Sequence, residues 1–255
     1  FVLILSTVLS FISRTIFIKI LGNSYLGVNG LLSNVLMMLS LSELGIGTAI
    51  TFSLYKPIAE NNKDGIKSLM HFYKNAYRVI GVFVFVLGII LMLFLDYLVP
   101  NPGNVTNLRL IFIIYVVNST LSYFITYKNT LLIADQKEYL LLKSNTFFSI
   151  LNIVLQIVSL LLFKDYIIYL LVNVVVSFIQ RVYVNYYITR LYPYLNDKEY
   201  NKLDKSELKT IIVNVKAMIC HTIGAYCING TDNIILSMFH QIISVGIYSY
   251  YNLIF

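Results

Sequence analysis

Three ionisable side chains stand deep inside long apolar stretches of this chain: Arg14, Glu43 and Asp232. An arginine presents a planar fork of donors that fits phosphate or carboxylate, whereas a buried carboxylate holds a cation or balances a neighbouring arginine. Inside a membrane such groups cost roughly 3 kcal/mol or more unless they face a cavity or a partner. The trio therefore predicts a water-filled cavity in which Arg14 attracts an anionic group. Glu43 and Asp232 would bind coupling cations, Na+ or H+, or neutralise Arg14. The competing reading is an arginine–carboxylate pair that only locks helices together. Glu43 lies in "SELGIGTAI", where Gly45 and Gly47 follow it at once. Small residues let helices approach closely, and they also let a helix bend; the packing role is the preferred one. Arg109 stands near a span end and reads as an interfacial anchor, with a second role in recruiting an anion at the outer mouth.

The elements that hold these residues follow from composition. The 255 residues are 58% hydrophobic and 12% charged, with a mean hydropathy of +0.77. Soluble domains carry about a quarter charged residues, so a soluble fold would lack a polar coat here. The class is an all-α polytopic membrane protein. Apolar segments long enough to span are expected at 1–21, 27–55, 75–99, 107–133, 138–162, 166–191, 209–239 and 243–255. The chain begins at Phe1 and ends at Phe255, both within apolar segments, which reads as a piece of a longer protein. No signal peptide is expected at its start. Cys220 and Cys227 are seven residues apart, about 10 Å of helical rise, too far for a disulfide bond. With His221 they lack a third ligand of suitable spacing, so no metal and no cofactor is expected.

Orientation comes from the basic residues. One set of connections holds "GNSYL", "PNPGNVT", "FKDY" and "HQII"; the other holds "KPIAENNKDGIKSLMHFYKN", "ADQKEY" and "YPYLNDKEYNKLDKSELK". Of the 19 Lys and Arg residues, all but Arg14, Lys19, Arg109 and Lys164 lie in or beside the second set. The second set is then cytoplasmic, and the net charge of +7 reflects topology, with no role in nucleic-acid binding. Tyr183, Tyr186, Tyr187, Tyr192 and Tyr194 read as an interfacial aromatic belt. Asn118 begins an N-x-Thr pattern inside a span and is assigned no role.

An internal repeat links the two ends of the chain. "RTIFIKILGNSYLGVNGLL" (14–32) and "TDNIILSMFHQIISVGIYSYY" (231–251) each run from a charged residue through apolar turns and a polar break to a glycine. Aligning Gly27 with Gly246 places Arg14 one residue from the position equivalent to Asp232. Six spans separate the copies, an even number, so the repeat is parallel. Parallel six-span repeats about an axis along the membrane normal are a transporter architecture with the site between halves. The expected organisation is a six-helix lobe at 1–191, a charged cytoplasmic linker at 192–208 and the opening of a second lobe at 209–255.

The stretch "SRTIFIKILGNSYLGVNGLLSNVLMMLSLSELGIGTAITFSLYKPIAENN" resembles the opening of polysaccharide-unit flippases, the Wzx-type oligosaccharide flippases of the MATE-like MOP exporter superfamily. "TDNIILSMFHQIISVGIYSYYNLI" is similar to the start of that family's second lobe. The resemblance implies two six-helix lobes around a V-shaped cavity in a bacterial cell membrane. It implies alternating-access transfer of an undecaprenyl-diphosphate-linked oligosaccharide to the outer leaflet, alongside other polysaccharide assembly proteins. The cargo's diphosphate is the anion that would suit Arg14, and Glu43 and Asp232 look like the family's carboxylates in spans two and seven.

Other readings share parts of this pattern. A MATE-type cation-coupled drug exporter would favour carboxylates over an arginine in the cavity, and a lipid II flippase is a close cousin. A membrane-embedded polymerase or glycosyltransferase needs acid/base or metal-binding carboxylates at an outer surface, and no outer connection pairs two, so an enzyme is not expected. A non-transporting scaffold would leave Arg14, Glu43 and Asp232 without a role.

Overall fold

The computed structural model describes residues 2–39, 44–197, 203, 208–218, 232–239 and 242–251, and the regular secondary structure among them is entirely helical. Glu43, Cys220, His221 and Cys227 lie outside the described residues. Helix α1 (Val2–Leu21) is followed by α2 (Asn23–Leu39), α3 (Leu44–Ala59), α4 (Lys63–Leu93) and the short α5 (Leu95–Leu98). Next come α6 (Leu108–Ile125), a 3-10 turn at Thr126–Lys128, α7 (Asn129–Ala134), α8 (Glu138–Phe163) and α9 (Tyr166–Leu191). A 3-10 turn at Pro193–Asn196, α10 (208–218), α11 (Asp232–Phe239) and α12 (Ile242–Tyr251) complete the described elements.

Among the described residues, four segments are long and apolar enough to cross a membrane: Lys63–Leu93, Leu108–Ala134, Glu138–Phe163 and Tyr166–Leu191. In each, no more than 28% of the most apolar window is buried within the protein. Val79, Phe83, Leu93, Leu162 and Phe163 all point outward. So much exposed hydrocarbon is stable only against a solvent that is itself apolar, which is what a membrane protein presents.

Three elements depart from the expected spans. "GNSYL" is no loop: α2 starts at Asn23, and Gly22 alone separates it from α1. Gly22 has φ +88°, a conformation glycine adopts without penalty, and this makes so abrupt a turn possible. The span expected at 27–55 is carried by two helices, α2 and α3. Helix α4 starts at Lys63, well before the expected residue 75. The charged stretch is helical because Ile66, Leu69, Met70, Tyr73, Tyr77 and Ile80 recur at helical spacing as a buried stripe. Asn62 caps it, its side chain accepting from the Gly65 amide at 2.9 Å. At 31 residues α4 is about 46 Å long, more than the ~30 Å of hydrocarbon, so its first turns stand clear of the apolar layer.

The connections gather at two ends. At the Gly22 end, Tyr25 reaches Thr106, Gly103 lies against Ser24, and the Ser237 hydroxyl donates to the Leu98 carbonyl. One core cluster sits behind them, around Leu31, Leu32, Ile111, Phe112, Leu160 and Val245. At the Tyr192 end, Lys67 approaches Asp197 and the Tyr192 hydroxyl donates to Asp135. The second cluster lies there, around Ile50, Leu54, Tyr73, Tyr123, Leu131 and Ile188. Tyr192 is thus a correction to the aromatic belt: it is buried, held by the Asp135 carboxylate, while Tyr183 and Tyr186 are exposed.

Candidate functional site

Arg14 is half-buried on α1, one turn before Phe17. The Phe17 ring is fully enclosed and meets the edges of Tyr166 at 5.7 Å and Tyr169 at 5.2 Å between centroids. This brings α1 against the first turn of α9, where the Arg14 charge acts on the Tyr169 hydroxyl. Asp165 fixes that turn by accepting from the amides of Ile167 (2.6 Å) and Ile168 (3.1 Å), and a carboxylate at a helix N-terminus also suits the dipole. Tyr166 and Tyr169 are three residues apart and share a face.

From there a line of hydroxyls crosses the bundle. The Tyr166 and Tyr115 hydroxyls are 3.2 Å apart, and Tyr115 of α6 donates to Asn29 Oδ1 of α2. Ser33, one turn along α2, bonds to Tyr115 and donates to the Asn29 carbonyl at 2.7 Å. Three helices, α2, α6 and α9, are joined by polar groups, with the Arg14 charge of α1 acting on Tyr169 beside them. Chemically the seam offers one fixed cation and several neutral hydroxyl and amide groups.

The remaining candidates fall elsewhere. Arg109 is exposed and bridges to Asp96 at 3.1 Å, also exposed, so it sits on the surface of the Gly22 end, away from the seam. Gly45 and Gly47 lie in the first turn of α3. A Cβ on Gly47 would stand 3.1 Å from the Tyr73 hydroxyl, so this glycine leaves room for the α4 tyrosines beneath α3. Asp232 opens α11.

Gly27 and Gly246 meet. A Cβ on Gly27 would run into the Ile242 carbonyl oxygen, and one on Gly246 would stand 2.5 Å from the Asn23 carbonyl oxygen. Ile242 lies four residues before Gly246, and Asn23 four before Gly27. Each glycine thus receives the backbone of the other's preceding turn, the reciprocity of a contact across a two-fold axis.

Sequence reasoning missed Arg181. It lies ten residues before the end of α9, about 15 Å along the axis, and is half-buried. Its guanidinium donates to both the carbonyl (3.2 Å) and the side-chain oxygen (2.9 Å) of Asn118 on α6. Alongside it α8 and α9 join through Asn152–Asn173 (2.9 Å) and Asn145–Gln180 (2.7 Å). The signal was its depth, since Arg190 and not Arg181 occupies the anchoring position. The tyrosine line was missed because Tyr115 is far in sequence from Tyr166 and Tyr169.

No protein-family model matches the chain, and neither a curated protein nor a solved structure matches it. Fold and composition define the class: a membrane protein, helical throughout the regular structure of its described residues, with four segments among them long and apolar enough to span.

Proposed function

We propose that the chain belongs to a transporter that moves an undecaprenyl-diphosphate-linked oligosaccharide from the cytoplasmic to the outer leaflet by alternating access. The observation that carries this reading is the reciprocal Gly27–Gly246 contact. It joins the two sequence copies at equivalent positions, as two halves would meet on the closed side of a cavity between them. Arg14 lies in the α1–α2 copy and brings a guanidinium into the polar seam beside it, suited to the cargo's diphosphate. Glu43 and Asp232 serve as coupling or balancing carboxylates, and the basic connections face the cytoplasm.

A cellular complementation assay tests the reading, comparing wild type with Arg14→Ala, Arg14→Lys and Glu43→Gln at matched membrane insertion. Arg14→Ala is expected to abolish surface polysaccharide while lipid-linked units accumulate inside, with partial export by Arg14→Lys. Unchanged export by a normally inserted Arg14→Ala protein overturns the role of Arg14.

A further inference from the structure

Lys67, His71, Lys74 and Arg78 recur at i, i+4, i+7 and i+11, which puts four basic side chains on one face of α4. Like charges at such spacing destabilise a helix, so the stripe works against the element that carries it. It faces the 3-10 turn at Thr126–Lys128. There Lys74 Nζ and Lys128 Nζ each lie 6.0 Å from the centre of the Tyr127 ring. Lys128 is half-buried and donates to Thr189 Oγ1 of α9 at 2.5 Å. Lys67, His71, Lys74, Tyr127 and Lys128, together with Asp197, line a cavity of about 60 Å³.

The charges of this cavity do not cancel. Asp197 stands 3.7 Å from Lys67, which Asp64 also engages at 2.8 Å, so the nearby acids are committed to Lys67. Lys74, Arg78 and Lys128 enter none of the ion pairs among the described residues. Beyond Arg78 no charge follows up to Leu93, and Val79, Val82 and Phe83 are exposed. The basic groups therefore end where an apolar surface begins, the depth at which lipid phosphates lie. Basic pockets between transmembrane helices on the cytoplasmic side are suited to anionic headgroups.

We propose that Lys74 and Lys128 in the cavity, with the exposed Arg78 one turn further along α4 and outside its lining, bind the phosphate of an anionic phospholipid at the cytoplasmic interface. The cavity holds the phosphate oxygens, and the acyl chains run along the exposed apolar side of α4. This rests on the membrane reading and the sidedness of the basic residues, and is independent of the transported cargo.

The test is lipid retention by the full-length protein in nanodiscs of phosphatidylglycerol mixed with phosphatidylcholine, read as the ratio of the two lipids that stay bound. Wild type is expected to enrich phosphatidylglycerol, and Lys74→Gln/Arg78→Gln/Lys128→Gln to reduce that enrichment by about tenfold or more. Lys56→Gln/Lys143→Gln/Arg190→Gln removes equal charge from other faces of the same end and is expected to retain it. An equal loss in both triple variants overturns the site in favour of a diffuse field. Displacement of the lipid by millimolar inorganic phosphate overturns the lipid as the occupant. Should the first triple variant not fold, Lys128→Gln against Lys128→Arg decides: loss in the first with retention in the second is expected, and equal behaviour overturns the proposal.

Discussion

Two of the glycine-built helix crossings in this protein differ in what the glycine meets. Where α2 crosses α12, Gly27 and Gly246 each face a backbone carbonyl of the other helix. Where α4 crosses α6, Gly88 faces the side chain of Val116, with its two methyl carbons 2.6 and 2.9 Å from where a Cβ would sit. A side chain can turn or be shortened, while a backbone can only move with its whole helix. The contact at Gly27 and Gly246 therefore fixes a distance between helix axes, and the contact at Gly88 fixes the fit of a side chain.

The largest effect is expected at the first crossing. Gly27→Ala or Gly246→Ala should destabilise the protein by about 3 kcal/mol or more, because neither clash is relieved without separating the helices. Thermal unfolding in detergent reads this directly; a melting temperature within a degree or two of wild type would remove the distinction between the crossings. A smaller, reversible effect is expected at the second. Gly88→Ala should cost about 1–3 kcal/mol, and adding Val116→Ala should recover part of it, with a coupling of about 1 kcal/mol in a double-mutant cycle. Additive losses there would mean that α4 and α6 are as rigidly spaced as α2 and α12.

The smallest effect belongs to the Tyr192 end, where elements meet through hydrogen bonds. Burial alone would raise the Asp135 pKa, but bonds from Lys137 (2.6 Å) and Tyr192 outweigh it and hold the carboxyl below its usual value of 3.8. A carboxylate lowered in the folded state contributes stability above its unfolded pKa and loses it as pH falls through the folded one. Wild type should therefore lose stability relative to Asp135→Asn below about pH 4, and the two should run parallel if the bonds contribute nothing.

Much of this was legible in the sequence, because hydropathy acts through composition over whole segments. The helical class and the alignment of Gly27 with Gly246 needed no three-dimensional information. The start of α4 was not legible, since the buried stripe from Ile66 to Ile80 is interleaved with charges that read as a loop. Gly22 was hidden for a similar reason: "GNSYL" carries the residues of a turn, yet one glycine with a positive φ completes it. Arg181 was grouped with the interfacial cations because counting basic residues ignores depth along the helix. The seam from Arg14 to Asn29 depends on tyrosines from two helices, α6 and α9, and only their packing could bring them together.

The 3-10 turn at Thr126–Lys128 has a consequence for the bilayer itself. The 18 residues of α6 span about 27 Å, close to the hydrocarbon thickness, and the six of α7 lie beyond the joint. A continuous helix of that combined length would answer a thinner or thicker bilayer by tilting as a whole, disturbing every neighbour. The turn divides that length in two, so α6 and the packed α7, with Leu131 and Leu132 buried, need not share one axis.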